Sequence, residues 1–304
     1  MTNRENVLSL FRRTGVERAP VDFQLCPHLE SVYRERTGSA IPYWEYFDFP
    51  MRFLPGLPCS RADDAAFAAW YPEPLRPGTG FDLFGVAHEP GSAAAMHMTR
   101  MRHPLAGVDS LDRMREFPFP SFDFGGIPDL RLAADALHAA GCASMFGLTC
   151  TIWETAWYLR SMEDLMVDMI QEDPKAEFLL DRVTDLACLR ADAAAEAGAD
   201  LLFLGDDVGM QRTLLMSREL YRTWLLPRLT RVIAAARAKK PDILVMYHSC
   251  GFVEPLVGDF LEAGIDILDP VQPECMDVAA LHAAYGDRLS FHGTLGTQTT
   301  MPFG

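Results

Sequence analysis

Asp242-Ile243-Leu244-Val245-Met246-Tyr247-His248-Ser249-Cys250-Gly251 is the stretch on which the fold of this 304-residue chain turns. Ile243 to Met246 make a short, almost unbroken apolar run with two β-branched residues, the pattern of a strand buried on both faces. Side chains alternate along a strand, so His248 and Cys250, two apart, are expected on the same side. An imidazole and a thiol together at a strand's end can begin a zinc site. The plainer reading is a buried thiol beside a hydrogen-bonded imidazole. Gly251 then releases the chain into a helical pattern from Phe252 to Ala263.

The same alternation extends in both directions. Upstream, Asp200–Leu204 reads as a strand ending in Gly205-Asp206-Asp207, and Ser217–Lys239 as a helix that Pro227 breaks. Before them come a helix at Leu130–Ala140, a strand at Ala143–Leu148 and helical patterns through Ala197. Downstream, Ile265–Leu268 and Leu289–Phe291 read as strands around a helix near Val278–Ala284. Nearer the start, Asn3–Arg13 is an amphipathic helix, Val21–Leu25 a first strand, His28–Thr37 a helix and Met51–Leu54 a short second strand. Strands alternating with helices imply parallel βαβ units. The expectation is an α/β fold, a (β/α)8 TIM barrel with an N-terminal extension, forming one domain over residues 1–304. Seven strands are countable where eight are required, so the last strand and helix are expected beyond Gly304; a seven-stranded open sheet is the competing reading. Residues 55–110, punctuated by seven prolines, are expected as an irregular excursion on the barrel's rim. Phe81–His88 and Ala95–Met101 would pair there as antiparallel strands.

Composition narrows the partners. The chain is 49% hydrophobic and 23% charged, an ordinary globular balance, with a net charge of −15. That charge disfavours nucleic acid and anionic membrane. The seven cysteines are odd in number and scattered, with no C-x-x-C, which suits a reduced, cytoplasmic setting. No window is long and apolar enough to span a membrane, and Met1–Asn6 lacks a signal core.

In a barrel, residues just past each strand share one mouth. Here they are Thr149, Cys150, Asp206, Asp207, His248, Cys250, Asp269, Gln272, His292 and Thr294, a set with few apolar members. Asp206 and Asp207 are catalytic candidates. Adjacent carboxylates can bind a cation, hold a substrate or act as a base, and the competing role is turn or helix capping. His248 and Cys250 are metal candidates. Trp153, Glu154, Gln272 and His292 are substrate-binding candidates; for Trp153 the competing role is core packing, and for His292 a hydrogen-bonded core histidine. No nucleophile-elbow, P-loop, H-E-x-x-H or dinucleotide-binding motif is present.

With these residues in view, the chain resembles the uroporphyrinogen decarboxylase superfamily. More narrowly, it is similar to the decarboxylase-like branch of corrinoid-dependent methyltransferases. The resemblance runs through most of the sequence and is strongest in G-A-D-L-L-F-L-G-D-D-V-G (198–209), Y-H-S-C-G (247–251), D-I-L-D-P-V-Q-P (266–273) and T-L-G-T-Q (294–298). It implies a (β/α)8 barrel. It also implies zinc held by an H-x-C pair, matched by His248 and Cys250, together with a later cysteine that would lie past Gly304. The implied activity moves a methyl group between a small molecule (a thiol, ether or amine) and a corrinoid, or cobalamin, carried by a partner protein; a homodimer is compatible with it. The decarboxylases themselves carry two arginines in a loop after the first strand. This chain has Gln24-Leu25-Cys26-Pro27-His28 there, without either arginine, which argues against a tetracarboxylate substrate. The alternatives are a metal-independent decarboxylase or lyase working through Asp206 and Asp207, and a non-catalytic barrel that binds a small molecule.

Overall fold

A computed structural model describes residues 1–92 and 98–304 of the chain. Its centre is a parallel sheet of six strands in sequence order: β1 (Met51–Phe53), β2 (Ala143–Thr149), β3 (Leu201–Gly205), β4 (Leu244–His248), β5 (Ile267–Asp269) and β6 (Ser290–Phe291). Helices connect successive strands, as parallel pairing requires. This is the strand order of a TIM barrel, with β1 and β6 as open edges among the described residues.

The two faces of the sheet bury different sets of residues, and the period of two is exact in the sequence. Ala143 and Met145, Leu201 and Phe203, Leu244 and Met246, and Ile267 pack on one face against Val7, Leu8 and Phe11 of the N-terminal helix Asn3–Phe11. Phe146 and Leu148, Leu202 and Leu204, Val245 and Tyr247, and Leu268 face the connecting helices within the main core. The N-terminal helix therefore plugs one end of the sheet's inner face. Continuing the inner series along β4 and β5 leads to His248 and Asp269 at the other end.

Three expectations need correction. Val21–Leu25 forms no strand. Its alternation is that of a half-buried strand, but Phe23 packs into an aromatic cluster with Tyr43, Phe47 and Phe49, while Val21 is 67% exposed. The stretch Phe81–His88 is divided: Gly80–Phe81 and Ala87–Pro90 pair antiparallel across a turn in which Gly85 has φ +79°. Any side chain at Gly85 would also strike Phe67, its Cβ lying 2.4 Å from the ring. Finally, the helix expected from Phe252 begins at Val257, after a short 3-10 turn at Glu254–Leu256 that holds Pro255.

The rim excursion otherwise agrees with expectation. Ala87–Pro90 pairs antiparallel with Thr99–Arg102, although Ala95 to His97 of the expected strand lie outside the described residues. Pro227 divides its helix as the sequence implies, giving Arg218–Trp224 and Leu226–Lys239. Among the described residues no helix is long and apolar enough to cross a membrane.

Candidate metal centre

Gly205 of β3 lies opposite His248 of β4 in the parallel ladder. Two residues past the ends of these strands come Asp207 and Cys250, so the register starts Asp207 and Cys250 side by side. The Cys250 N–H donates to Asp207 Oδ1 at 2.8 Å. Cys250 Sγ lies 3.4 Å from His248 Nε2, and Asp207 Oδ1 lies 3.7 Å from the same nitrogen. The donor atoms of Asp207, His248 and Cys250 all fall within 4.8 Å of one another. Zinc bonds of about 2.0–2.3 Å in a tetrahedron set donor separations of roughly 3.3–3.8 Å, a range that holds the two separations from His248 Nε2.

Close backbone approach makes this cluster. A Cβ at Gly205 would sit 2.7 Å from His248 Cβ and 2.9 Å from its carbonyl oxygen. Gly251 has φ +86°, and a Cβ there would meet the Met210 carbonyl oxygen at 2.7 Å. Both glycines are needed for the turn that carries Cys250 over the strand end.

His248 is oriented from behind. Its Nδ1 meets Asp269 Oδ2 at 2.6 Å, which leaves Nε2 toward Asp207 and Cys250. A carboxylate on the far nitrogen of a ligating imidazole is the usual support for a metal-bound histidine. Burial opposes the charged imidazole, but the bond to Asp269 outweighs it and pushes His248 up to about 10. Asp269 is buried too, yet the two imidazoles it receives hold it down at about 2. The second is His292, whose Nδ1 meets Asp269 Oδ1 at 2.5 Å and whose Nε2 meets Asp22 Oδ1 at 2.9 Å. Both nitrogens of His292 are thus taken by carboxylates, which makes it a charged partner of Asp269 and excludes it from this donor set. Asp22 was missed in the sequence. Its signal was the alternation in Val21-Asp22-Phe23, which turns it away from the aromatic cluster.

The other candidates separate by role. Asp206 is 3% exposed, and its carboxylate accepts from the backbone N–H of Ile152 and of Glu154, the latter at 2.9 Å. It caps the helix Trp153–Arg160 from across the sheet. Burial and the nearby Glu154 carboxylate push Asp206 up to about 8, against the backbone N–H groups that favour its charged form. Trp153 is fully buried in the main core, so the expectation that it touches substrate is corrected in favour of packing. Glu154 accepts from the Asp207 N–H at 3.2 Å and from the Tyr158 hydroxyl at 2.8 Å, which places it against the cluster. Burial raises Glu154 above the ordinary carboxylate range. Gln272 is buried; its Oε1 accepts from the Gly251 N–H at 3.0 Å, and its Nε2 donates to Thr297. It therefore holds the Cys250 turn in place. Cys275 lies 3.8 Å from Gln272 Oε1, and Thr294 is half-buried past β6. Thr149 and Cys150 line a neighbouring pocket.

A TIM-barrel sheet whose strand ends carry an imidazole, a thiol and a carboxylate together defines a class of barrel proteins with a candidate site at the C-terminal mouth. Comparison with known proteins makes this more specific. Residues 81–301 match the uroporphyrinogen decarboxylase (URO-D) family, and the chain belongs to it. It is similar to "Methylcobamide:CoM methyltransferase MtaA" of Methanosarcina barkeri, 29% identical over 143 residues. That match covers 47% of this chain and 40% of the relative. A second such protein, from strain Fusaro / DSM 804 of the same organism, is 27% identical over the same shares. The matched segment thus spans well under half of these curated relatives. Among solved structures, a methyltransferase from Methanosarcina mazei superposes with a TM-score of 0.62 at 18% identity, covering 100% of this chain and 85% of that one. At that identity the likeness establishes the barrel fold.

Proposed function

We propose that this chain carries the zinc site of a methyltransferase that moves a methyl group between a small molecule and a corrinoid protein. The observation that carries the reading is the donor set of Asp207, His248 and Cys250 within 4.8 Å at the barrel mouth. The corrinoid half of the proposal draws its support from the relatives, whose names specify methylcobamide and CoM. A cytoplasmic setting accords with seven unpaired cysteines.

His248 Nε2, Cys250 Sγ and a carboxylate oxygen of Asp207 would hold the zinc. These are three donors among the described residues, and the later cysteine that the resemblance implies would be a further one. When bound, zinc supplies Lewis acidity, which holds a substrate thiol as thiolate or polarises an ether or amine. With zinc in place of the Nε2 proton, Asp269 would keep the remaining His248 proton on Nδ1 and so leave Nε2 to the ion. The Cys250 N–H and the acceptor Glu154 fix Asp207 from its two sides. Burial shifts Glu154 toward its protonated form, and Tyr158 orients its Oε1 beside the mouth. Gln272 and the charged His292 act on the Cys250 turn and on Asp269, and so position the site without touching substrate.

Metal analysis of purified wild type, His248→Ala and Cys250→Ser tests this reading. The expected result is zinc near one per chain in wild type and a large loss in both variants. Equal zinc in all three would remove the proposal.

A further inference from the structure

A second concave site lies against the first. It is a pocket of about 240 Å³ between the end of β2, the rim turn at Asp82–Phe84 and the face of the helix Pro174–Glu196 that carries Val183, Leu186 and Arg190. Arg190 decides its character. The Arg190 Nε is buried and has no hydrogen-bond partner among the described residues. Among the described residues no carboxylate forms an ion pair with its guanidinium. The guanidinium carbon lies 4.8 Å from the centroid of the Phe122 ring, a cation–π contact that takes up no N–H donor. A buried guanidinium nitrogen without an acceptor is costly, since an unmet donor forfeits its solvation.

The other polar groups of the pocket show what is missing. Asp82, the pocket's carboxylate, spends Oδ1 on the backbone N–H groups of Phe84 and Val86, and its Oδ2 lies 3.5 Å from His88. Thr151 and Thr155 give their hydroxyl protons to the carbonyls of Leu148 and Cys150. Tyr158 gives its own to Glu154. Burial pushes the Cys150 thiol up to about 12, so it stays neutral. The uncommitted donors are the Arg190 fork and the Thr149 hydroxyl. Beyond them the walls are Leu83, Val183, Leu186 and Ala187.

We propose that this pocket binds the oxyanion group, carboxylate- or phosphate-like, of a small organic molecule, with Arg190 as counter-ion and Thr149 as a second donor. A planar fork matches an oxyanion with two parallel N–H···O bonds, and the apolar walls would cover a short carbon chain. The inference rests on the pocket and not on the zinc reading. Tyr158 and Glu154 separate the pocket from Asp207, so the ligand is either the tail of the molecule that reacts at the mouth or a separate small acid.

Titration calorimetry with propionate, and crystals soaked in selenate and measured at the selenium edge, test it. Propionate is expected to bind wild type, to bind about tenfold or more weakly to Arg190→Gln, and to retain part of its affinity in Arg190→Lys. Selenate is expected to give an anomalous peak beside Arg190 and Thr149. Should Arg190→Gln fail to fold, the lysine variant and the wild-type map still decide. Equal propionate affinity in wild type and a folded Arg190→Gln, or selenate peaks only elsewhere, would overturn the proposal. In zinc-loaded protein, 3-mercaptopropionate separates the two sources. Affinity lost in both Arg190→Gln and Cys250→Ser marks the tail of the reacting molecule. Affinity lost in Cys250→Ser alone, while propionate still needs Arg190, marks a separate acid.

Discussion

His248 owes its place to Gly205 across the ladder and its tautomer to Asp269 behind it. Each dependence can be measured. Gly205→Ala puts a methyl group 2.7 Å from His248 Cβ, and the imidazole must shift. The expected cost is about 1–3 kcal/mol in urea unfolding, together with weakened zinc binding. Asp269→Asn removes the carboxylate that holds both imidazoles and should weaken zinc by about 10- to 100-fold while the chain stays folded, as competition with a chelator would read. The residues of this site were unequally legible. His248 and Cys250 stand two apart, so strand alternation finds them. Asp207 is 41 positions before His248 in the sequence, and only the register of β3 on β4 makes it a third donor. Asp206 and Asp207 look equivalent in the sequence. One peptide step turns Asp206 to the helix N-terminus and Asp207 to the mouth.

Helices and loops around the mouth hold the site by their ends. The helix Trp153–Arg160 has no capping side chain of its own at Ile152, and Asp206 supplies the acceptor from β3. Asp206→Ala leaves buried N–H groups unpaired, and a loss of about 1–3 kcal/mol is expected. The charge of Asp206 also has a signature. Its folded pKa of about 8 lies above the ordinary carboxylate value, so its contribution is fully present below about pH 4 and is lost as pH rises through 8. Stability measured across that window should decline in wild type, and the decline should shrink in Asp206→Asn; identical profiles would show that the carboxyl does not titrate there. Among the elements, strands buried on both faces were readable because unbroken apolar runs leave few other options. Val21–Leu25 was not, since its alternation suits both a strand and a segment clamped by Tyr43 and Phe49. The late start of the helix at Val257 follows from Pro255, whose missing N–H belongs in a first turn.

At the scale of the whole molecule, the sheet separates two tasks. Its inner face is plugged by the N-terminal helix at one end and bears the donor set at the other. Arg4 of that helix reaches the buried Asp200 just before β3, with bonds of 2.6 and 2.9 Å. Burial pushes Asp200 up, but Arg4 and the Ser144 N–H outweigh it and hold the carboxyl below its ordinary range. Asp259, wholly buried between Arg218 and Arg222, is lowered in the same way. Groups lowered by folding contribute stability above their unfolded pKa and lose it as pH falls through the folded value. Acid unfolding below about pH 4 is therefore expected to be eased in Arg4→Met, read as an acid midpoint moved upward. Opposed to Asp206, these carboxylates place greatest stability in the mildly acidic range. The barrel was legible because its strands recur with helices between them; that Val21–Leu25 is not one of them depended on contacts that no local pattern carries.

The most direct test of the central claim is diffraction from zinc-grown crystals measured on both sides of the zinc absorption edge. The account predicts one anomalous peak within bonding distance of Asp207, His248 and Cys250, missing from Cys250→Ser crystals grown in the same way. A map with no peak at the end of β4, or with zinc bound only at other residues, would contradict it.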